Sequence, residues 1–306
     1  MKGVALRGGA LVIAVWLTAG IVSAAETQIS DHDRLWVNFT REAAVVGDQH
    51  FWVELRGMIL QDDQAINTQG TLSTGGKTTF QGPKLALNGY PINRSSCSVD
   101  DKTSSNRCIE SIDGGRFDLV GAYGLGANSE IGIDLPFVMQ QQIDYVDGGH
   151  MENTNVGDLV LYGKFKRQLA EHWAGALGLE LSAPTAPSDN FLGSGELGLN
   201  PFLSTRYQSG RLGLGAHVGF LLNTGSKPDV FNWSLESIVR GNSLFALRCE
   251  LNGRLFQDSG TFNDIAVWPG IDLNLTDNFV IRPQALAHIT QDAIDWGLGL
   301  GLVFTM

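Results

Sequence analysis

The sequence predicts an all-β fold: an antiparallel, up-and-down transmembrane β-barrel of about twelve strands, with a polar lumen and long outer loops. Three observations carry that prediction. Segment after segment alternates apolar and polar residues with a period of two. Glycine recurs inside those segments, 38 of 306 residues, where the usual share is about 7%. The connections alternate between tight turns and longer loops, the order expected of short periplasmic turns and longer extracellular loops.

The chain opens with "MKGVALRGGALVIAVWLTAGIVSAAETQ". Lys2 and Arg7 precede an apolar run from Ala10 to Ile21, and small residues follow from Val22 to Ala25. That is the layout of a cleaved secretory signal peptide, so residues 1–25 are set aside from the fold. Residues 26–50, including "RLWVNFTREAAVVGDQ", do not share the alternation and read as a periplasmic extension or a plug. The barrel is assigned to residues 51–306.

Its strands are predicted to begin near Phe51, Arg116, Ser129, Val156, His172, Ser194, Arg211, Phe231, Ser243, Asn263, Asn278 and Ile294. Each has one apolar face. Leu212, Leu214, Ala216, Val218, Phe220 and Leu222 share such a face, as do Ile294, Trp296, Leu298, Leu300, Leu302 and Phe304. In "LFALRCELNGRLFQ", Phe245, Leu247, Cys249, Leu251 and Leu255 alternate with Arg248, Glu250, Asn252 and Arg254. A soluble sandwich also alternates, but it would not place charges of both signs opposite Leu, Phe and Trp so regularly. A barrel in lipid requires that pattern in every strand.

The links "GLGANSE", "QLAEHW", "QSGR", "RGNS" and "LTDN" are tight, whereas residues 62–114, "DYVDGGHMENTN" and "APTAPSDNFLG" are long. The first of these, 62–114, is assigned as one long outer loop. It holds Cys97 and Cys108, which an oxidising compartment would join as a disulfide. Cys249 reads as a small hydrophobe on an apolar strand face.

Three segments together resemble a known group: "NVGDLVLYGKFKRQ", "AGALGLELSAPTAPSDNFLGSGELGLNPFLSTRY" and "WGLGLGLVF". They are similar to the phenol-degradation "MetA-pathway" family of proteobacterial outer-membrane proteins, over Ser129 to the C-terminus. The resemblance implies an outer-membrane barrel and passage of aromatic or other hydrophobic compounds, and it carries no site residues. The cysteine-bearing loop and the 26–50 extension lie outside it.

The candidate functional residues are those predicted to line the lumen. They are Glu54, Arg56, Arg116, Asp118, Glu130, Asp134, Lys164, Lys166, Glu180, Glu196, Arg206, His217, Glu236, Arg248, Glu250, Arg254, Asp272, Arg282 and His288. Mixed signs point to ladders of cross-strand ion pairs, which either stabilise a filled interior or line a pore. Inward Gly213, Gly215, Gly219, Gly297, Gly299 and Gly301 are expected to leave open volume along one wall.

Other chemistries find little footing. The "GSGELG" match to a dinucleotide fingerprint leads into a strand rather than a helix, and so lacks the helix N-terminus that would hold a pyrophosphate. The histidines show no zinc spacing, and no cofactor or metal site is expected. A net charge of −11 argues against nucleic acid. A lipid hydrolase would need a Ser–His pair facing lipid, yet Ser204 and Ser234 fall on lumen faces, so no catalytic residue is predicted. The expectation is a monomeric outer-membrane channel for passive uptake of small solutes, in contact with membrane lipid. The alternative is a structural or surface-interaction barrel with a closed lumen.

Overall fold

A computed structural model describes residues 45–61, 84–85, 91–92, 109–145, 149–187, 192–257, 263–290 and 296–306. The signal-peptide assignment, most of the extension, and the Cys97–Cys108 pairing lie outside the described residues.

The strands are β1 (Phe51–Gln61), β2 (Lys84–Leu85), β3 (Pro91–Ile92), β4 (Ile109–Gly126), β5 (Ser129–Tyr145), β6 (His150–Asn155), β7 (Leu159–Ala170) and β8 (Trp173–Ala183). Then follow β9 (Gly198–Ser209), β10 (Leu212–Asn223), β11 (Val230–Arg240), β12 (Phe245–Phe256), β13 (Asn263–Thr276), β14 (Phe279–His288) and β15 (Trp296–Thr305). Sequential neighbours pair antiparallel from β7 round to β15, β15 pairs with β1, β1 with β4, and β4 with β5, which returns to β7. Twelve strands therefore close into a barrel with no free edge. The short β6 continues the line of β7 beyond it, paired to the outer half of β5.

Why the wall faces as it does follows from the pleat. In β1, Phe51, Leu55 and Ile59 are exposed while Trp52, Glu54, Arg56, Met58 and Leu60 are buried. Exposed Leu177, Leu203, Leu235, Leu247 and Leu298 continue an apolar outer band round the barrel. At the rim carrying the tight turns, aromatic rings pair: Phe51 with Tyr123 at 4.5 Å, Trp173 with Tyr207 at 5.1 Å, and Phe279 with Phe304 at 4.7 Å. Such a girdle sits where the bilayer meets water. A closed barrel with an apolar outer band and a charged interior places the chain in the bacterial outer membrane.

The strand assignment from sequence needs several adjustments: β7 begins at Leu159 rather than Val156, and β9 at Gly198 rather than Ser194. Ile109–Gly114, counted with the 62–114 loop, belong to β4. There Ile112 packs inward against Ile143 and Tyr145, which continues the barrel wall outward. Likewise part of "DYVDGGHMENTN" forms the β5–β6 hairpin, in register from Met139↔Asn155 to Asp144↔His150.

Candidate functional site

The lumen is layered, and the layers come from which inward positions carry charge. Nearest the tight-turn rim, Trp52, Val120, Ala122, Tyr162, Val280 and Val303 form an apolar layer, joined by Val46 from the segment ahead of β1. The Val46 N–H donates to Glu130 Oε2 at 2.7 Å, and the Tyr162 hydroxyl donates to Glu130 Oε1 at 2.8 Å. Lys164 Nζ lies 3.5 Å from the same carboxylate. A Cβ at Gly124 would run into the Val46 and Gly47 carbonyls, so a glycine is needed for this segment to press against the wall.

The middle layer is charged. Arg282 donates to Asp272 at 2.8 Å and to Glu54 at 3.1 Å; Glu54 also meets Arg56 at 3.4 Å, and Asp272 meets Arg248 at 3.5 Å. Arg116 pairs with Asp118 on β4, whose register partner on β1 is Arg56. Arg282 and Arg56 both stand opposite Gly301, on either side of β15. Because Gly301 has no side chain, Arg282 reaches across β15 to Glu54. Gly215, Gly219, Gly297 and Gly299 behave similarly. The space over Gly297 is taken by Leu60 and Leu286, over Gly299 by Gln284 and Met58, and over Gly215 by Glu236. The open wall expected from these glycines is therefore filled by neighbouring side chains.

On the β8–β11 wall the inward groups form a polar chain. His217 lies 3.2 Å from the Ser204 hydroxyl on one side and 3.2 Å from Asn232 Oδ1 on the other. Asn232 donates to Asn200, and Asn200 donates to Glu180 at 2.6 Å. Ser204 and His217 thus meet, but in mid-strand, where backbone N–H groups serve the sheet ladder and do not converge on an oxyanion. Nearer the outer rim, Asp264 accepts from Arg254 at 2.7 Å and from His288 at 2.7 Å.

The outer layer is apolar again: Met58, Leu60, Met139, Ala266, Trp268 and Leu286, with Leu192 from the β8–β9 loop fully buried among them. One carboxylate holds that loop. Asp158, just before β7, accepts from the Ala186 N–H at 3.1 Å and the Ser194 N–H at 2.6 Å.

Among the residues singled out from sequence, Glu54, Arg56, Asp118, Glu130, Asp134, Lys164, Arg206, His217, Glu236, Arg248, Glu250, Asp272 and Arg282 are buried on inward positions. Arg116, Lys166, Glu180, Arg254 and His288 are half-buried on the same face. Glu196 differs. It precedes β9 and accepts from the backbone N–H groups of Gly225, Ser226 and Lys227, tying two outer loops together. Burial opposes its ionisation, but those N–H donors and the Ser226 hydroxyl outweigh it and hold the carboxyl below the ordinary glutamate range.

Sequence reasoning missed Asp264, the Asp158 clamp and the inward apolar groups Trp52, Met58, Leu60 and Trp268. Parity was the available signal: Trp52, Met58 and Leu60 share the phase of Glu54 and Arg56. Among the described residues no cluster of metal-ligating side chains occurs.

No protein-family profile matches the chain, and no curated protein matches it. Among solved structures, an outer-membrane channel from Pseudomonas putida F1 is similar with a TM-score of 0.60 at 14% identity, over 86% of this chain and 97% of that one. The NanC porin (TM-score 0.44, 11% identity, 61% and 98% covered) and the monoaromatic hydrocarbon channel CymD (0.43, 7%, 85% and 88%) are looser likenesses. The first shows a shared fold.

Proposed function

We propose that the chain is a monomeric outer-membrane channel for passive uptake of small solutes, hydrophobic or aromatic ones among them. The observation that carries this reading lies in the apolar layer of the outer lumen. That layer is occupied by Leu192, a loop side chain whose loop is tied back through Asp158, rather than by the barrel wall alone. A contact made by a loop can be displaced without unfolding the barrel. Apolar layers at both ends suit a partly apolar solute. The charged middle layer sets selectivity and holds the wall together.

The second reading, a closed structural or surface-interaction barrel, is favoured by one observation: side chains from outside the wall, Val46 and Leu192, enter the lumen at two depths. Single-channel recording in planar bilayers separates the two. Discrete conductance, enlarged in Leu192→Ala, is expected for the channel. A silent bilayer with both proteins would leave the closed barrel standing. No ester hydrolysis is expected in detergent, and Ser204→Ala should have none to lose.

A further inference from the structure

We propose that the outer apolar layer is a binding site for a small, largely apolar and preferably aromatic molecule bearing a hydrogen-bond acceptor oxygen, whose place Leu192 holds in this structure. The inference rests on the channel reading and names what that channel selects.

Two buried donors point to the ligand. Trp268 is 6% exposed and Gln284 7%, and neither Trp268 Nε1 nor Gln284 Nε2 has a hydrogen-bond partner among the described residues. Gln284 stands opposite Gly270, two residues along β13 from Trp268. Its Nε2 lies over Gly299, 2.9 Å from where a Cβ there would stand, with Met58 Cγ 3.3 Å from the same point. The Gln284 amide therefore lies against β15 beside Met58, while Trp268 projects from β13 into the cluster of Met58, Leu60, Leu286 and Leu192.

Buried donors are rarely left unpaired, because each forfeits its hydrogen bond to water. A lone water needs two to four polar partners; the side chains of the cluster offer none, and the nearest carboxylate on the neighbouring strand is Glu250, opposite Trp268. A carbonyl, ether or hydroxyl oxygen on an apolar body offers these donors an acceptor while its body meets the apolar lining. Met58 and Met139 add polarizable sulfur, which contacts aromatic rings favourably. Among the described residues the loop delivers the Leu192 side chain, which matches the lining but offers the donors no acceptor. A solute with an acceptor therefore competes with Leu192 on better terms than a pure hydrocarbon does.

The test compares acetophenone with ethylbenzene, which are close in size and differ by the carbonyl oxygen. Each is titrated calorimetrically into the full mature protein in detergent, against a micelle blank. Acetophenone is expected to bind about tenfold tighter. Trp268→Phe and Gln284→Met should each lose about threefold of that preference. The double variant should bind the two ligands equally. If Trp268→Phe fails to fold, Gln284→Met alone reads the effect, since it keeps the side-chain length. Equal affinity in the unmodified protein, binding of neither ligand, or a preference that survives the double variant would overturn the site. Conductance without the preference leaves a channel lacking this site. The preference without conductance leaves the site and removes the channel.

Discussion

Glu54 sits between two guanidinium groups, Arg56 and Arg282, fully buried on β1. Replacing it by alanine leaves both cations beside one another in the lumen. Removing one partner of a buried ion pair typically costs about 3–5 kcal/mol, so Glu54→Ala should shift the urea midpoint of the folded barrel markedly downward. An unchanged midpoint would mean that water already screens these arginines. Glu196 belongs to the same scale with the opposite setting, at the outer loops. Its folded-state pKa is depressed, so the stabilisation it supplies is present above the ordinary glutamate value of about 4.3 and is lost as pH falls through the lower folded value. Hydrogen exchange at Gly225–Lys227, corrected for intrinsic rate, should rise on acidification below that range. In Glu196→Gln the exchange should be fast at both ends of the titration.

Each strand carries two separate constraints, one per face. On the lipid side Leu203, 56% exposed in mid-β9, should tolerate isoleucine but not arginine. A charge near the bilayer midplane costs about 2–4 kcal/mol on this face, and Leu203→Arg should lower folding yield into vesicles accordingly. On the lumen side β15 is limited by size rather than polarity. Gly301→Val would drive methyl groups into the Glu54 carboxylate and the Arg282 stem, separating a pair that bridges three strands. Its destabilisation should approach that of Glu54→Ala, and the double variant should lose less than the sum, because both remove one interaction.

Closure of the β15–β1 seam makes the barrel a single cooperative object, with every strand hydrogen-bonded on both sides. Such a barrel resists unfolding in detergent at room temperature, so the mature protein should migrate faster on gels unheated than boiled. Identical mobility, with solubility in the absence of detergent, would contradict the fold. The lumen, by contrast, is assembled from parts far apart in sequence. Arg282 and Glu54 lie at opposite ends of the chain and meet only because β15 pairs with β1. Val46 and Leu192 enter from segments that show no alternation at all.

Period-two patterning determined the fold class, the strand count and which face of each strand meets lipid, because lipid imposes the same demand on every strand independently. The charges of "LFALRCELNGRLFQ" could be assigned to one face without knowing any neighbour. What that pattern could not supply was the content of the lumen at each depth. Parity says that Trp52 and Glu54 share a face, but only the register across strands decides that one joins an apolar layer and the other an ion-pair network. Nor could it assign Glu196 and Asp158 to loop backbones, since a carboxylate finds its donors through the path of two loops. Alternation is a local property of each strand; depth, pairing and closure arise from all twelve strands together, and only tertiary structure holds them.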